Sequence, residues 1–125
     1  ADWRVARRGT SDLTVRRHGD AAERKVSGNA LRVRRHGVLY HGTLLDRFDI
    51  ALVGRILRHP PREPDYRSRR SHGEFLMNLE LGTETLEGAV RAAFDATLVR
   101  SDWPTDRVER LVAERYGRHD WTSRL

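Results

Sequence analysis

Arg24-Lys25-Val26-Ser27-Gly28-Asn29-Ala30 decides how the rest of this chain is read. It opens a stretch, Arg24–Arg34, whose apolar residues Val26, Ala30 and Val33 are spaced as in a long strand. Gly28 breaks that strand at a bulge or a close approach of backbone. Lys25 is the only lysine among 24 basic side chains. Arg presents a planar fork suited to flat, bidentate contacts, whereas Lys is a compact point charge that reaches a single negative centre. Beside it, Gly28 and Ala30 carry almost no side chain, so a ligand can lie against the backbone and accept from its N–H groups. A lone cation next to such a surface is a reasonable cradle for a phosphate or an acyl-phosphate anhydride. The plain alternative is a solvated surface lysine.

Outward from that stretch the first 45 residues read as an antiparallel meander. Trp3–Arg7 and Leu13–Arg16 have strand character, and Gly9-Thr10-Ser11-Asp12 between them sets Asp12 at the mouth of the second strand. Arg17-His18-Gly19-Asp20 carries hairpin chemistry, and Arg35-His36-Gly37 makes the next turn. Val38–Leu45 is a strong strand. Beyond it the pattern turns helical. Asp46 or Asp49 caps a helix reaching about Arg58, with Ile50, Val53, Ile56 and Leu57 as its stripe, and His59-Pro60-Pro61 stops it. Residues 60–75 form a long basic loop, and loops of that length inside a domain are more often functional than idle. Thr83 caps a helix to about Leu98, with Leu86, Val90, Ala93, Phe94 and Thr97 on its core face. A last helix starts near Pro104-Thr105, buries Val108, Leu111 and Val112, and ends at Gly117, with Trp121 packing back on it. The fold class is α+β, an antiparallel or mixed sheet packed against two to three helices: β-rich over 1–45, helical over 46–125.

The 125 residues suit one domain with a modest core. The absence of cysteine excludes disulfides, thiolate metal sites and a cysteine nucleophile, and points to a cytoplasmic setting. Apolar runs reach only about five residues, which predicts no membrane span. The net charge of +6 is concentrated: residues 1–41 hold ten basic against four acidic side chains, and residues 42–125 hold fourteen of each. A nucleic-acid face and a field for a small polyanion both fit that asymmetry. Only Trp3 and Tyr40 supply aromatics in this half, which leaves no obvious stacking platform and argues against nucleic acid as a partner. The six histidines show no paired metal-ligand spacing. From the residues alone the candidates are Lys25, Asp12, the mid-strand His41 and the arginines of the 62–70 loop.

Ser11-Asp12-Leu13, Arg24-Lys25-Val26-Ser27-Gly28-Asn29-Ala30 and His41-Gly42-Thr43-Leu44-Leu45, in that order, resemble the lipoate–protein ligases of the biotin/lipoate ligase superfamily. Tyr66-Arg67-Ser68-Arg69-Arg70-Ser71, Asn78-Leu79 and Trp121 fit the same pattern, so the resemblance spans nearly the whole chain. It implies ATP- and Mg2+-dependent conversion of lipoate to lipoyl-adenylate. The acyl group then passes to a lysine of an acceptor lipoyl domain in 2-oxoacid dehydrogenase complexes, or of the glycine-cleavage H protein. It further implies that Lys25 steadies the carboxylate and phosphate oxygens, and that Asp12 lies near the nucleotide or its magnesium. Ser27, Gly28, Asn29 and Ala30 would floor the adenylate, with His41, Gly42 and Thr43 on the adjacent strand. Arg67, Arg69 and Arg70 would lend cationic cover from a closing loop.

The departures are specific. Many members have Asn where Ser11 stands. The upstream Arg-Arg-x-x-Gly-Gly-Gly motif of the family has no match, since Arg16-Arg17-His18-Gly19 is a superficial echo in the wrong order. The first residue is Ala and the only methionine is Met77. The resemblance therefore implies a single partial domain, the C-terminal half of a ligase catalytic domain. Its complement would be a preceding segment or a separate subunit, and an edge strand would be left open for association. Transferases of the superfamily that use a cysteine nucleophile are a poorer match to a chain with none. A non-catalytic or split-ligase subunit is the alternative reading.

Overall fold

The computed structural model describes residues 3–124. Two compact units divide between Val90 and Arg91. The first carries four strands, β1 (Trp3–Arg8), β2 (Asp12–Arg17), β3 (Arg24–Arg34) and β4 (Gly37–Leu44), in one antiparallel sheet whose spatial order follows the chain. Each strand is joined to the next by a short turn. At Arg17–Asp20, Gly19 takes a φ of +89°, a conformation only glycine adopts without strain, and Asp20 returns its carboxylate to the Arg17 N–H.

The β2–β3 ladder is irregular between Leu13 and Thr14: Leu13 faces Ser27 and Thr14 faces Lys25, which leaves Val26 as the extra residue. The bulge expected at Gly28 therefore sits two residues earlier, while Gly28 keeps the other expected role, close approach. A bulge inverts the alternation of side chains. Val26 and Ser27, consecutive in sequence, are both buried, and Lys25 shares a face with Gly28.

After β4 the chain turns back under the sheet. The Leu45 N–H donates to Val26 O (2.8 Å), Met77 N–H to Lys25 O (3.0 Å) and Leu79 N–H to Leu45 O (2.8 Å). The Leu76–Leu79 segment thereby runs parallel to the start of β3 and pins the Lys25 backbone from the side opposite β2. It also delivers Met77 and Leu79 to Val15 and Val26, the four buried members of a small core bordered by Trp3, Leu13 and Leu86. Asn78 acts as a backbone mimic, accepting from Phe48 N–H and donating to Phe48 O.

Helix α1 (Ile50–Ile56) is capped by Asp49, whose carboxylate accepts from Leu52 N–H at 3.1 Å. Asp46, the other cap considered, accepts from the N–H groups of Leu81 and Gly82 instead. Three sequence-based bounds need correction. The α1 stripe is Ile50, Leu52 and Val53; Ile56, the last helical residue, and Leu57, its C-cap, are both exposed. Helix α3 (Thr83–Ala93) ends five residues early, with Asp95 just beyond it at φ +49°; Val90 and Phe94 are exposed, and Leu86 alone of the expected face packs on the core. Between them, the stretch expected as loop holds a 3₁₀ turn (Asp65–Arg67) and the short α2 (His72–Phe75), opened by a Ser71/Glu74 capping box.

The second unit contains α4 (Thr105–Leu111), a π-helical turn (Val112–Tyr116) and α5 (His119–Thr122). Trp121 does pack back, edge-on to Tyr116 at 5.7 Å with the Arg115 guanidinium over its ring. Val108, Leu111 and Val112 stay exposed rather than buried, as expected of a unit too short to enclose a core of its own. No helix among the described residues is long and apolar enough to cross a membrane.

Candidate functional site

The register aligns one row across the sheet: Arg8 opposite Asp12, Asp12 opposite Gly28, Gly28 opposite Thr43. With no side chain at Gly28, Lys25 lies over that backbone. Its Nζ and Cε stand 3.3 and 3.4 Å from where a Cβ would be, and Nζ reaches Asp12 Oδ1 at 2.7 Å. Both partners are largely shielded, Lys25 26% and Asp12 15% exposed in their side chains. An ammonium carries three N–H donors. One is aimed at Asp12, and two are left for ligand oxygens.

Asp12 Oδ2 accepts from the Tyr66 hydroxyl at 2.6 Å. Burial raises the Tyr66 pKa far above the ordinary tyrosine value, and the bond to Asp12 and its negative charge add to the rise. Tyr66 is therefore a committed donor, and it holds Asp12 so that the other oxygen faces Lys25. Sequence reading did not single it out, because the contact closes over 54 positions and no local spacing announces it. The available signal was an aromatic inside a basic loop.

Alternation separates the remaining candidates. Ala30, His41 and Thr43 share the Lys25 face by register, with His41 exposed opposite Ala30. Ser27 and Asn29 point the other way. Ser27 is buried, and Asn29 donates to Ser11 O (2.7 Å) and Ser27 Oγ (3.1 Å), tying β3 to the β1–β2 turn. Gly42 opposes Asn29 and gives its amide room, since a Cβ there would meet Asn29 Oδ1 at 2.0 Å.

The three loop arginines part company. Arg67 is buried over the Phe75 ring and holds Glu63 at 3.5 Å. Arg70 donates to Glu23 O and Tyr66 O, both at 2.8 Å. Arg69 is exposed beside His59 and Pro60. Arg67 and Arg70 thus order the segment that presents Tyr66, and neither is aimed at Lys25. Beside Asp12 lies an open pocket of about 600 Å³, walled by the β1–β2 turn and by Arg62–Tyr66.

As for magnesium, both Asp12 oxygens are engaged, and no group of three or more metal-type ligands exists among the described residues.

The four-stranded antiparallel sheet with its short helices makes an α+β fold, and it carries a lone lysine over a glycine. The family model described as the lipoyl protein ligase A/B catalytic domain matches residues 2–95, and the chain belongs to that family. No curated protein and no solved structure matches the chain.

Two outcomes follow from this geometry. Gly28→Ala puts a methyl 3.3 Å from Nζ, so the fold should persist while Lys25 gives way by a few tenths of an ångström beside Asp12. Because the chain has one lysine, a ¹³Cε/¹⁵Nζ-lysine label gives a single side-chain NMR signal that reads this displacement. An unchanged signal would refute the close-approach role. Tyr66 should ionise only at a pH well above that of a free tyrosine. Its folded-state pKa is raised, so its stabilising effect is complete below the unfolded value of about 10 and fades as pH climbs through the folded one. Alkaline absorbance titration should show a late phenolate step that Tyr66→Phe deletes. A profile identical in the variant would contradict it.

Proposed function

We propose that this chain provides the lysine-bearing part of a lipoate–protein ligase site. In the reaction envisaged, a lipoate carboxylate oxygen bonds to the α-phosphorus of ATP and pyrophosphate leaves. An acceptor-lysine nitrogen then bonds to the acyl carbon and AMP leaves. Negative charge accumulates on carboxylate and phosphate oxygens in the first step, and the two uncommitted Lys25 donors are suited to it. Gly28 and Ala30 leave the adjoining surface clear, with His41 and Thr43 at its border. The magnesium that accompanies ATP would ride on the phosphates, consistent with a carboxylate already paired at Asp12. Acceptor partners are the lipoyl domains of 2-oxoacid dehydrogenase complexes or the glycine-cleavage H protein.

The single observation that carries this reading is the Lys25–Gly28–Asp12 arrangement in a chain of the lipoyl ligase family. Its test is calorimetric titration with a non-hydrolysable lipoyl-adenylate analogue. Saturable binding that vanishes in Lys25→Ala supports it, and equal binding by both proteins overturns it.

A second reading is a split-ligase or non-catalytic subunit that meets the acyl-adenylate or acceptor domain together with a complementary polypeptide. One observation favours it. Past Ala30 the β3–β4 ribbon has lost β2 as a neighbour, and Leu31, Val33, Val38 and Tyr40, on one face by register, are each 58–66% exposed. A two-stranded ribbon with a bare apolar face is marginal in water. Under this reading the folded chain alone leaves the analogue unbound.

A further inference from the structure

We propose that the hollow between the β1–β2 hairpin and the 66–70 segment is a phosphoanion site, with Arg4 and Arg16 as its principal ligands. Nothing in the Lys25 arrangement uses these residues, and the inference stands apart from the ligase reading.

Arg4 and Arg16 are direct cross-strand partners. Like charges in that relation repel and weaken a sheet. Neither guanidinium has an ion pair or hydrogen bond among the described residues. The pair lines a hollow of about 440 Å³ with Arg8 and Arg70, four arginines against the single acid Glu23. That acid is already engaged: Glu23 takes the Arg8 Nε at 2.6 Å and the buried Thr14 hydroxyl at 2.6 Å. Among the described residues the excess positive charge therefore has no counterion, and the volume lies in the range of small-ligand sites.

The chemistry selects phosphate oxygens. Arginine forks match them bidentately. Arg4 and Arg8, four residues apart on one strand, are ~13 Å apart at Cα, a reach suited to a chain of two or three phosphates. Ala6, Ala21 and Ala22 give the concave wall no stacking surface, the one ring lining it, Tyr66, is packed on Phe75 and tied to Asp12, and Trp3 is covered by Arg17 at 4.8 Å. A short polyphosphate fits better than a nucleic-acid strand. Tyr66 and Arg8 border both this hollow and the one beside Asp12, so the two sites are neighbours.

The probes are inorganic pyrophosphate and ATP, titrated calorimetrically at constant ionic strength, with sulfate as the simple-anion control. Saturable pyrophosphate binding is expected, weakened at least tenfold in Arg4→Ala/Arg16→Ala. Equal affinity for the two probes assigns the site to a free polyphosphate, and tighter ATP binding assigns it to a nucleotide. Both arginines are exposed, so the double variant should fold. Arg4→Glu adds a check, because it turns the repelling pair into an attracting one and should raise the melting temperature of the free protein while removing the response to pyrophosphate. The proposal is overturned by any of three results: no saturable binding, binding unaltered in the double variant, or sulfate competing as well as pyrophosphate.

Discussion

Lys25→Arg is expected to weaken binding of a lipoyl-adenylate analogue by about a hundredfold, roughly 2.7 kcal/mol, although the charge is kept. Lys25 reaches Asp12 by lying over Gly28 with its Cε and Nζ in contact distance of the bare backbone. A guanidinium is broader and planar, and its fork seeks both oxygens of a carboxylate. One Asp12 oxygen is held by Tyr66 at 2.6 Å. The fork must either break that bond or stand away from Gly28, and in both cases the donors meant for the ligand are moved. Lys25→Ala would lose the cation outright and leave Asp12 with Tyr66 as its donor, so the same assay should show no saturation. The discriminating variant is the arginine. If it binds the analogue as well as wild type, charge alone suffices and the shape-dependent role assigned to Lys25 is wrong. Circular dichroism separates either result from misfolding, since the Lys25 backbone is fixed by Thr14 on one side and Met77 on the other whatever side chain it carries.

Much of the site's material was legible in the sequence, and its assembly was not. Composition exposed Lys25, because one ammonium in an arginine-rich chain is visible without any structure. The meander was legible because its turns are marked by glycines at 19 and 37 and its longest strand, Arg24–Arg34, keeps strand-spaced apolar residues. The bulge was misplaced because Val26 looks like any strand valine, whereas Gly28 looks like an interruption. That single shift decides which candidates share a face with Lys25, and it sends Ser27 and Asn29 to the other side. Tyr66 was missed for a different reason: its partner is fixed by how the 60–75 segment folds, through Arg70, Glu23 and Phe75, and no periodicity encodes that. Helix ends were overrun where apolar residues such as Leu57 and Phe94 continue the pattern after the backbone has stopped being helical.

Phe75→Ala is expected to lower stability by about 3–5 kcal/mol, the usual cost of emptying a buried phenylalanine site. The effect should reach Asp12 even though Phe75 does not touch it. Phe75 is 3% exposed and serves as a shared platform: Arg67 lies over its ring at 4.7 Å, Arg70 at 5.4 Å, and Tyr66 packs at 5.2 Å with a 40° tilt. The buried Arg67 Nη2 has no hydrogen-bond acceptor among the described residues, so the aromatic face is what remains to compensate it. Removing the ring leaves a buried cation poorly satisfied and frees the segment that carries Tyr66. Two measurements should therefore move together. Urea denaturation should show the lost stability, and hydrogen exchange should show faster amides at Arg67, Ser68 and Arg70, whose N–H groups close the 3₁₀ turn and its exit. Under conditions where Phe75→Ala is still folded, the Lys25 side-chain signal should shift toward that of Tyr66→Phe, because Asp12 loses the same donor in both. A destabilised protein whose loop amides and Lys25 signal stay as in wild type would show that Phe75 supports the core alone. The coupling is physical: one ring orders two arginines, the arginines order a tyrosine, and the tyrosine fixes the carboxylate that aims the only lysine.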